Sequence, residues 1–313
     1  MEFNHKPVLL NECIENLNIK PEGVYVDGTV GGAGHAGEIY KRLGPKGILI
    51  GFDQDSFAIE TARDRLNGLN SQAGYVLINS NFKNIRQKCL EIGIETVDGV
   101  LLDIGVSSHQ LDEAQRGFSY QHNAPLDMRM DRSLELNAGT IVNEYDEIKI
   151  KEIIRDYGEE KWASRIAEFI VRERKKSRIN TTFELVDIIK AAIPSAARRE
   201  GPHPAKRTFQ ALRIEVNKEL DVLKQVIGEA VSILKPDGRL CIITFHSLED
   251  RIVKNEYQKR AKPCTCPASF PVCVCGGIPD VELVTRKPII SGEKELNENP
   301  RARSAKLRVL KKV

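Results

Sequence analysis

Through the first third of the chain, continuous apolar runs alternate with stretches of helical spacing. Val24–Asp27, Gly47–Asp53, Tyr75–Ile78 and Val97–Asp103 read as strands with little polar alternation. Strands buried on both faces look like this, so the runs predict a parallel sheet covered by helices on both sides. The intervening segments, Gly34–Leu43, Phe57–Leu66 and Ile85–Ile92, supply the helices. From Val106 to Arg207 the pattern changes. No segment there reads as a strand, whereas Glu147–Tyr157, Glu160–Lys176 and Thr182–Ile193 carry helical spacing. A long amphipathic helix is predicted over Phe209–Leu234, and Pro236-Asp237-Gly238 turns into a further buried strand, Arg239–Phe245.

This order predicts an α/β fold, a doubly wound Rossmann-like domain formed by residues 1–106 and 208–313. A helical domain, residues 107–207, is inserted directly after the fourth strand. Ligands of open α/β sheets bind at the carboxyl ends of the strands, so an insertion launched there is expected to grip substrate. The chain has 313 residues, 41% hydrophobic and 29% charged, a mixture that builds a core and excludes disordered, collagenous and disulfide-stapled classes. No run approaches the ~18 apolar residues of a membrane helix. The opening residues lack the apolar core of a signal peptide, which predicts a cytoplasmic protein.

Net charge is +3, from 47 bases against 44 acids, so no global field points to a polyanion. The distribution does. Arg165–Arg213 holds twelve Lys/Arg against five Asp/Glu, and Asn299–Val313 holds six against none. Local clusters of this kind neutralise phosphates, although a solvated helix face and a frayed basic tail would give the same counts. Arg198, Arg199, Lys206, Arg207 and Arg213, with Arg301, Arg303, Lys306 and Arg308 in the tail, are the candidate phosphate contacts.

The first strand runs into Asp27-Gly28-Thr29-Val30-Gly31-Gly32-Ala33-Gly34-His35. A glycine-rich strand-to-helix turn lets backbone amides approach a ligand. Gly32–Gly37 satisfies the dinucleotide fingerprint, a short and weak pattern by itself. The second strand ends in Asp53, placed where a carboxylate accepts hydrogen bonds from a ribose diol. An acid, Asp27, precedes the turn; it repels a pyrophosphate but attracts an ammonium, which favours S-adenosylmethionine over NAD. The fourth strand exits through Asp103-Ile104-Gly105-Val106-Ser107-Ser108-His109-Gln110 with no cysteine. Methylation at a pyrimidine C5 needs a covalent nucleophile, so its absence points to direct attack by nitrogen or oxygen.

Several motifs now combine. His5–Leu10, Asp27–His35, Asp103–Ser108 with Gln110-Leu111-Asp112, Arg116–Ser119, Thr244–Arg251 and Asn299–Ser304 stand in one order from end to end. The chain resembles the bacterial 16S ribosomal RNA cytosine-N4 methyltransferase family. The resemblance implies methyl transfer from S-adenosylmethionine to the exocyclic amine of one cytidine in the decoding centre, with 16S rRNA in the small subunit as partner and no sign of a stable protein partner. It implies cofactor contacts at Ala33, Gly34, His35, Asp53, Phe82, Asp103 and Gln110, beside the Asp27 read above. The better-known amino-methyltransferase motif, Asp/Ser/Asn-Pro-Pro-aromatic, is replaced here by Asp103-Ile104-Gly105-Val106. Asp103, helped by Ser107 or Ser108, is therefore the candidate for polarising the target amine. The alternatives are an NAD-dependent oxidoreductase and a non-catalytic ribosome-assembly module.

Cys13, Cys89 and Cys241 stand in apolar contexts and read as buried thiols. Cys264-Thr265-Cys266 and Cys273-Val274-Cys275 form a pair of motifs in a Pro-rich segment. Four thiolates suit tetrahedral Zn²⁺, with a spacing tighter than the usual two to four residues. A metal here would be structural.

Overall fold

Seven strands form one sheet in the order β3-β2-β1-β4-β5-β7-β6. They are β1 (Val24–Asp27), β2 (Ile48–Asp53), β3 (Gly74–Asn79), β4 (Val97–Asp103), β5 (Leu234–Thr244), β6 (Val281–Leu283) and β7 (Lys306–Lys312). The computed structural model describes residues 7–313 except 200, 268, 269, 271 and 273. The chain divides into two units, one built from residues up to Gly105 with Leu220–Val313, the other from Val106–Glu219.

In the first unit β1 to β5 are parallel, and β7 runs antiparallel to both β5 and β6. Alternate residues of the buried strands feed opposite cores. Leu101, Cys241 and Ile243 join one, with the helices α1 (Leu10–Leu17), α2 (Gly34–Tyr40) and α3 (Ser56–Asn67). Val100, Leu102, Leu240 and Ile242 join the other, against α4 (Ile85–Glu91) and two later helices. Both faces are covered, as uninterrupted apolar strands require. The hairpin β6–β7 and α1 were not anticipated. Lysines and arginines flank Leu307, Val309 and Leu310 and hide their burial in the sequence. The basic tail is consequently an interior strand of the sheet, paired on both sides between β5 and β6, not a frayed end.

The second unit is helical, with α5 (Ser108–Asp112), α6 (Ala138–Glu144), α7 (Glu147–Gly158), α8 (Ala163–Arg174), α9 (Thr182–Ala192), α10 (Ser195–Arg198) and α11 (Lys206–Asn217). Its own core gathers Ile141, Ile150, Ile166, Leu185 and Ile189. Phe209, Leu212 and Val216 of α11 belong to that core. The second boundary therefore falls after Glu219, twelve residues beyond the expected position at 207. The long helix expected over 209–234 is two. Lys218 has φ 51°, the left-handed conformation that ends α11, and α12 (Glu219–Ile233) begins beyond it. The expected Pro236-Asp237-Gly238 turn survives as an irregularity inside β5. Val97 pairs with Leu234 and Gly99 with Arg239, leaving residues 235–238 bulged opposite Asp98. After β5 come α13 (Ser247–Ala261) and α14 (Glu293–Glu298). Among the described residues no helix is long and apolar enough to cross a membrane.

Candidate active site

In the first unit, three carboxylates stand at the carboxyl ends of β1, β2 and β4: Asp27, Asp53 and Asp103. The turn after β1 organises them. Thr29 is the hub. Its backbone N–H donates to Asp27 Oδ1 at 3.0 Å, and its hydroxyl oxygen accepts from the Asp103 N–H at 2.7 Å. Gly31 has φ 47° and donates its N–H to Asp53 Oδ2 at 2.9 Å. At Gly28 a Cβ would stand 2.3 Å from Leu102 Cδ2 and 3.3 Å from Phe82 Cβ, so only glycine lets the turn lie against β4. The same contact sets Phe82, half-buried, beside the turn. Ala33 is left-handed at φ 57°, a strain of about 1 kcal/mol that persists only where the surroundings impose it.

Burial sets the electrostatics. It raises the Asp27 carboxyl to about 7, with hydrogen bonding from Thr29 opposing and Asp53 adding to the rise. It raises Asp53 to about 6 against hydrogen bonds from Asp55 and Gly31. It raises Asp103 to about 8, helped by the negative charges of Asp27 and Glu249. Among the described residues no lysine or arginine pairs with any of the three. Among the described residues Asp103 Oδ1 is buried with no hydrogen-bond partner, and Oδ2 lies 3.7 Å from His35 Nδ1. His35 Nε2 is 3.0 Å from the Val8 carbonyl. A carbonyl only accepts, so Nε2 carries the proton and Nδ1 faces Asp103 with a lone pair in the neutral ring.

Buried acids without a basic partner are costly unless a cation joins them. A sulfonium and an ammonium on one molecule suit this donor set; a pyrophosphate does not. Asp53 keeps lone pairs for a ribose diol. The residues therefore fit S-adenosylmethionine.

Other expected residues lie elsewhere or are already engaged. Ser107 and Gln110 belong to the second unit. Ser107 Oγ accepts from the Gln110 N–H at 3.2 Å, and Gln110 Oε1 accepts from the Ser107 N–H at 3.1 Å, a reciprocal cap at the start of α5. The Ser107 hydroxyl oxygen is thus engaged as a helix cap. Ser108 opens α5, and its side chain lies outside the described residues. Arg213 is clamped in two parallel hydrogen bonds by the buried Glu219, both at 2.9 Å, and is withdrawn as a phosphate contact. Arg198, Arg199, Lys206 and Arg207 are exposed, with Arg207 also donating to the Glu159 carbonyl at 2.7 Å. In the first unit Arg303 is exposed and Arg301 half-buried, whereas Lys306 and Arg308 are bound to Asp250 at 3.1 and 2.6 Å.

Sequence reasoning missed Glu249. It is fully buried, accepts from the Phe245 and His246 N–H groups at 2.8 and 3.3 Å, and adds to the field on Asp103. The His246-x-x-Glu249 spacing at the start of α13 is the signal, a capping box with histidine as the cap.

Residues 2–313 match the model of the MraW methylase family. The chain belongs to that family. Curated relatives include the ribosomal RNA small subunit methyltransferase H of Acetivibrio thermocellus, 68% identical over all of both chains, and that of Ruminiclostridium cellulolyticum, 64% identical over all of both. Among solved structures, an rRNA methylase from Streptococcus thermophilus aligns over 100% of this chain and 99% of its own, with 10% identity and a TM-score of 0.42. This MraW-family chain is a methyltransferase that uses S-adenosylmethionine. Neither the site nor the relatives favour the oxidoreductase or the non-catalytic reading.

Proposed function

We propose that this chain methylates the exocyclic N4 amine of one cytidine in the decoding centre of 16S rRNA. The substrate class follows the relatives' name, ribosomal RNA small subunit methyltransferase H, and the base and atom follow the motif resemblance. The observation that carries the chemistry is Asp103 Oδ1, a buried acceptor with no partner among the described residues, at the end of β4. S-adenosylmethionine, when bound, supplies a methyl made electrophilic by its sulfonium. The protein's part is alignment and proton handling. Asp53 accepts hydrogen bonds from the ribose, Phe82 offers an apolar wall to the base, and Asp27 meets the ammonium. A cation beside Asp103 lowers its proton affinity, and the resulting carboxylate accepts an N–H of the target amine as the nitrogen rehybridises. A cytosine amine is a weak nucleophile, so positioning is the larger contribution. The target base must be unstacked to be reached. Arg198, Arg199, Lys206, Arg207, Arg301 and Arg303 hold phosphates, which position the RNA without reading its sequence.

Small subunits from cells lacking this enzyme should accept labelled methyl groups at a single cytidine N4, mapped by nucleoside mass spectrometry. Label on pyrimidine C5 or on ribose would refute the assignment. Asp103→Asn should lower turnover by roughly 10²–10³, the usual loss for a buried charge-stabilising group. Full turnover in that variant would remove Asp103 from the mechanism.

A further inference from the structure

Residues 262–280, between α13 and β6, contain no helix or strand among those described. The segment exceeds the ~12–15 residues beyond which structureless connections become uncommon in compact domains. Its large apolar side chains give it no core: Phe270, Val272, Val274 and Ile278 are 50–84% exposed. Hydrophobic burial therefore does not hold it together. Yet Cys264, Cys266 and Cys275 converge, their sulfurs all within 4.8 Å of one another. The backbone explains how. Gly276 has φ 68°, and a Cβ on Gly277 would lie 3.0–3.1 Å from Pro263 and Cys264, so the chain after Cys275 folds onto the chain before Cys266. The Val274 N–H donates to Cys266 Sγ at 3.3 Å, the kind of amide support that steadies a negatively charged sulfur. Arg260 and Asp280, 2.6 Å apart, close the base of the segment.

We propose that Cys264, Cys266 and Cys275 bind a structural Zn²⁺ that staples this loop. A tetrahedral Zn–S distance of about 2.3 Å sets sulfurs about 3.8 Å apart, a spacing the cluster reaches by a small closure. Thiolates select a soft or borderline ion over Mg²⁺ or Ca²⁺. Binding converts three thiols to thiolates and releases their protons to solvent. Cys273, the fourth cysteine of the paired motifs, lies outside the described residues, and the proposal rests on the other three. No catalytic role is assigned to the ion; it replaces the hydrophobic core that the loop lacks.

The test is elemental analysis of the full chain purified under reducing conditions. About one zinc per chain is expected, falling to none in C264S/C266S/C275S, whose substitutions lie outside the hydrophobic cores and leave the helical circular dichroism unchanged. Titrating metal-free wild type with Co²⁺ alone should give sulfur-to-metal charge-transfer bands, and limited proteolysis within 262–280 should slow when Zn²⁺ is restored. Wild type that neither carries zinc nor develops the cobalt bands would overturn the proposal. So would a triple variant that keeps its metal, or these cysteines recovered as disulfides from reduced cells.

Discussion

Asp27, Asp53 and Asp103 share a condition that makes them useful: each stands at the end of a strand, Asp27 buried and the other two half-buried, with its carboxyl raised to between about 6 and about 8. The folded chain holds their protons more tightly than the unfolded chain, whose aspartates titrate near 3.9. Stability without ligand is therefore fullest below about pH 4 as far as these groups decide it, and it falls as pH rises through 6–8. A bound cation works in the opposite direction. S-adenosylmethionine should bind more tightly as pH rises from about 5.5 to about 7.5, with protons released. Calorimetry in buffers of different ionisation heat reads both effects, and affinity that is flat over this window would contradict the coupling. The three acids were legible because strand ends can be counted from apolar runs. The engagement of Ser107 with Gln110 was not, because a hydroxyl's partner depends on which helix begins beside it. Glu249 stands inside a motif that does not reveal its role, since a buried acid and a solvated one look identical in sequence.

At the scale of elements, β7 is where the sequence misled. Its basic residues suggested a tail on phosphate, but Arg308 and Lys306 both reach Asp250 of α13. Burial pushes the Asp250 carboxyl up, the hydrogen bonds from Arg308 and Lys306 outweigh it, and the net position is below the ordinary range. Its stabilisation is present at neutral pH and is lost in acid. The Arg308 side chain is only 9% exposed, so Asp250→Ala strands a buried charge. The expected cost is about 3 kcal/mol. Lys46→Ala, which removes an ion pair whose members are 77% and 70% exposed, should cost close to nothing. Thermal melts of the two variants measure the contrast, and equal melting points would refute it. The parallel strands were legible from end to end because their apolar runs are uninterrupted. The break between α11 and α12 was not, because only the backbone reveals Lys218 as left-handed.

For the whole molecule, near-neutral charge hides local excess. Arg198, Arg199 and Lys206 are exposed on the helical unit, within the stretch where bases outnumber acids. Replacing all three with alanine should weaken RNA binding whatever the base sequence. It should also flatten the dependence of log K on log salt by roughly 0.7–0.9 for each phosphate no longer neutralised. Filter binding across salt concentrations tests this; an unchanged slope would remove these residues from the interface. The division of the chain into a sheet unit and an inserted helical unit was readable from the switch in hydrophobic period after β4. The position of its second boundary was not, because α11 is amphipathic in either setting and only packing shows which core it joins.

The strand order has a consequence for biogenesis. β5 ends at Thr244, and its outer edge is covered by β7, which begins at Lys306. As the polypeptide emerges from a ribosome, every residue of the helical insertion is made before that covering strand exists. Throughout synthesis of the stretch between them, a nascent five-stranded sheet carries an open, apolar flank, the geometry that invites pairing with a neighbouring chain. Variants that slow elongation between α13 and β7 would prolong that exposure, and their harm would appear as aggregation during expression while the finished molecule remained as stable as before.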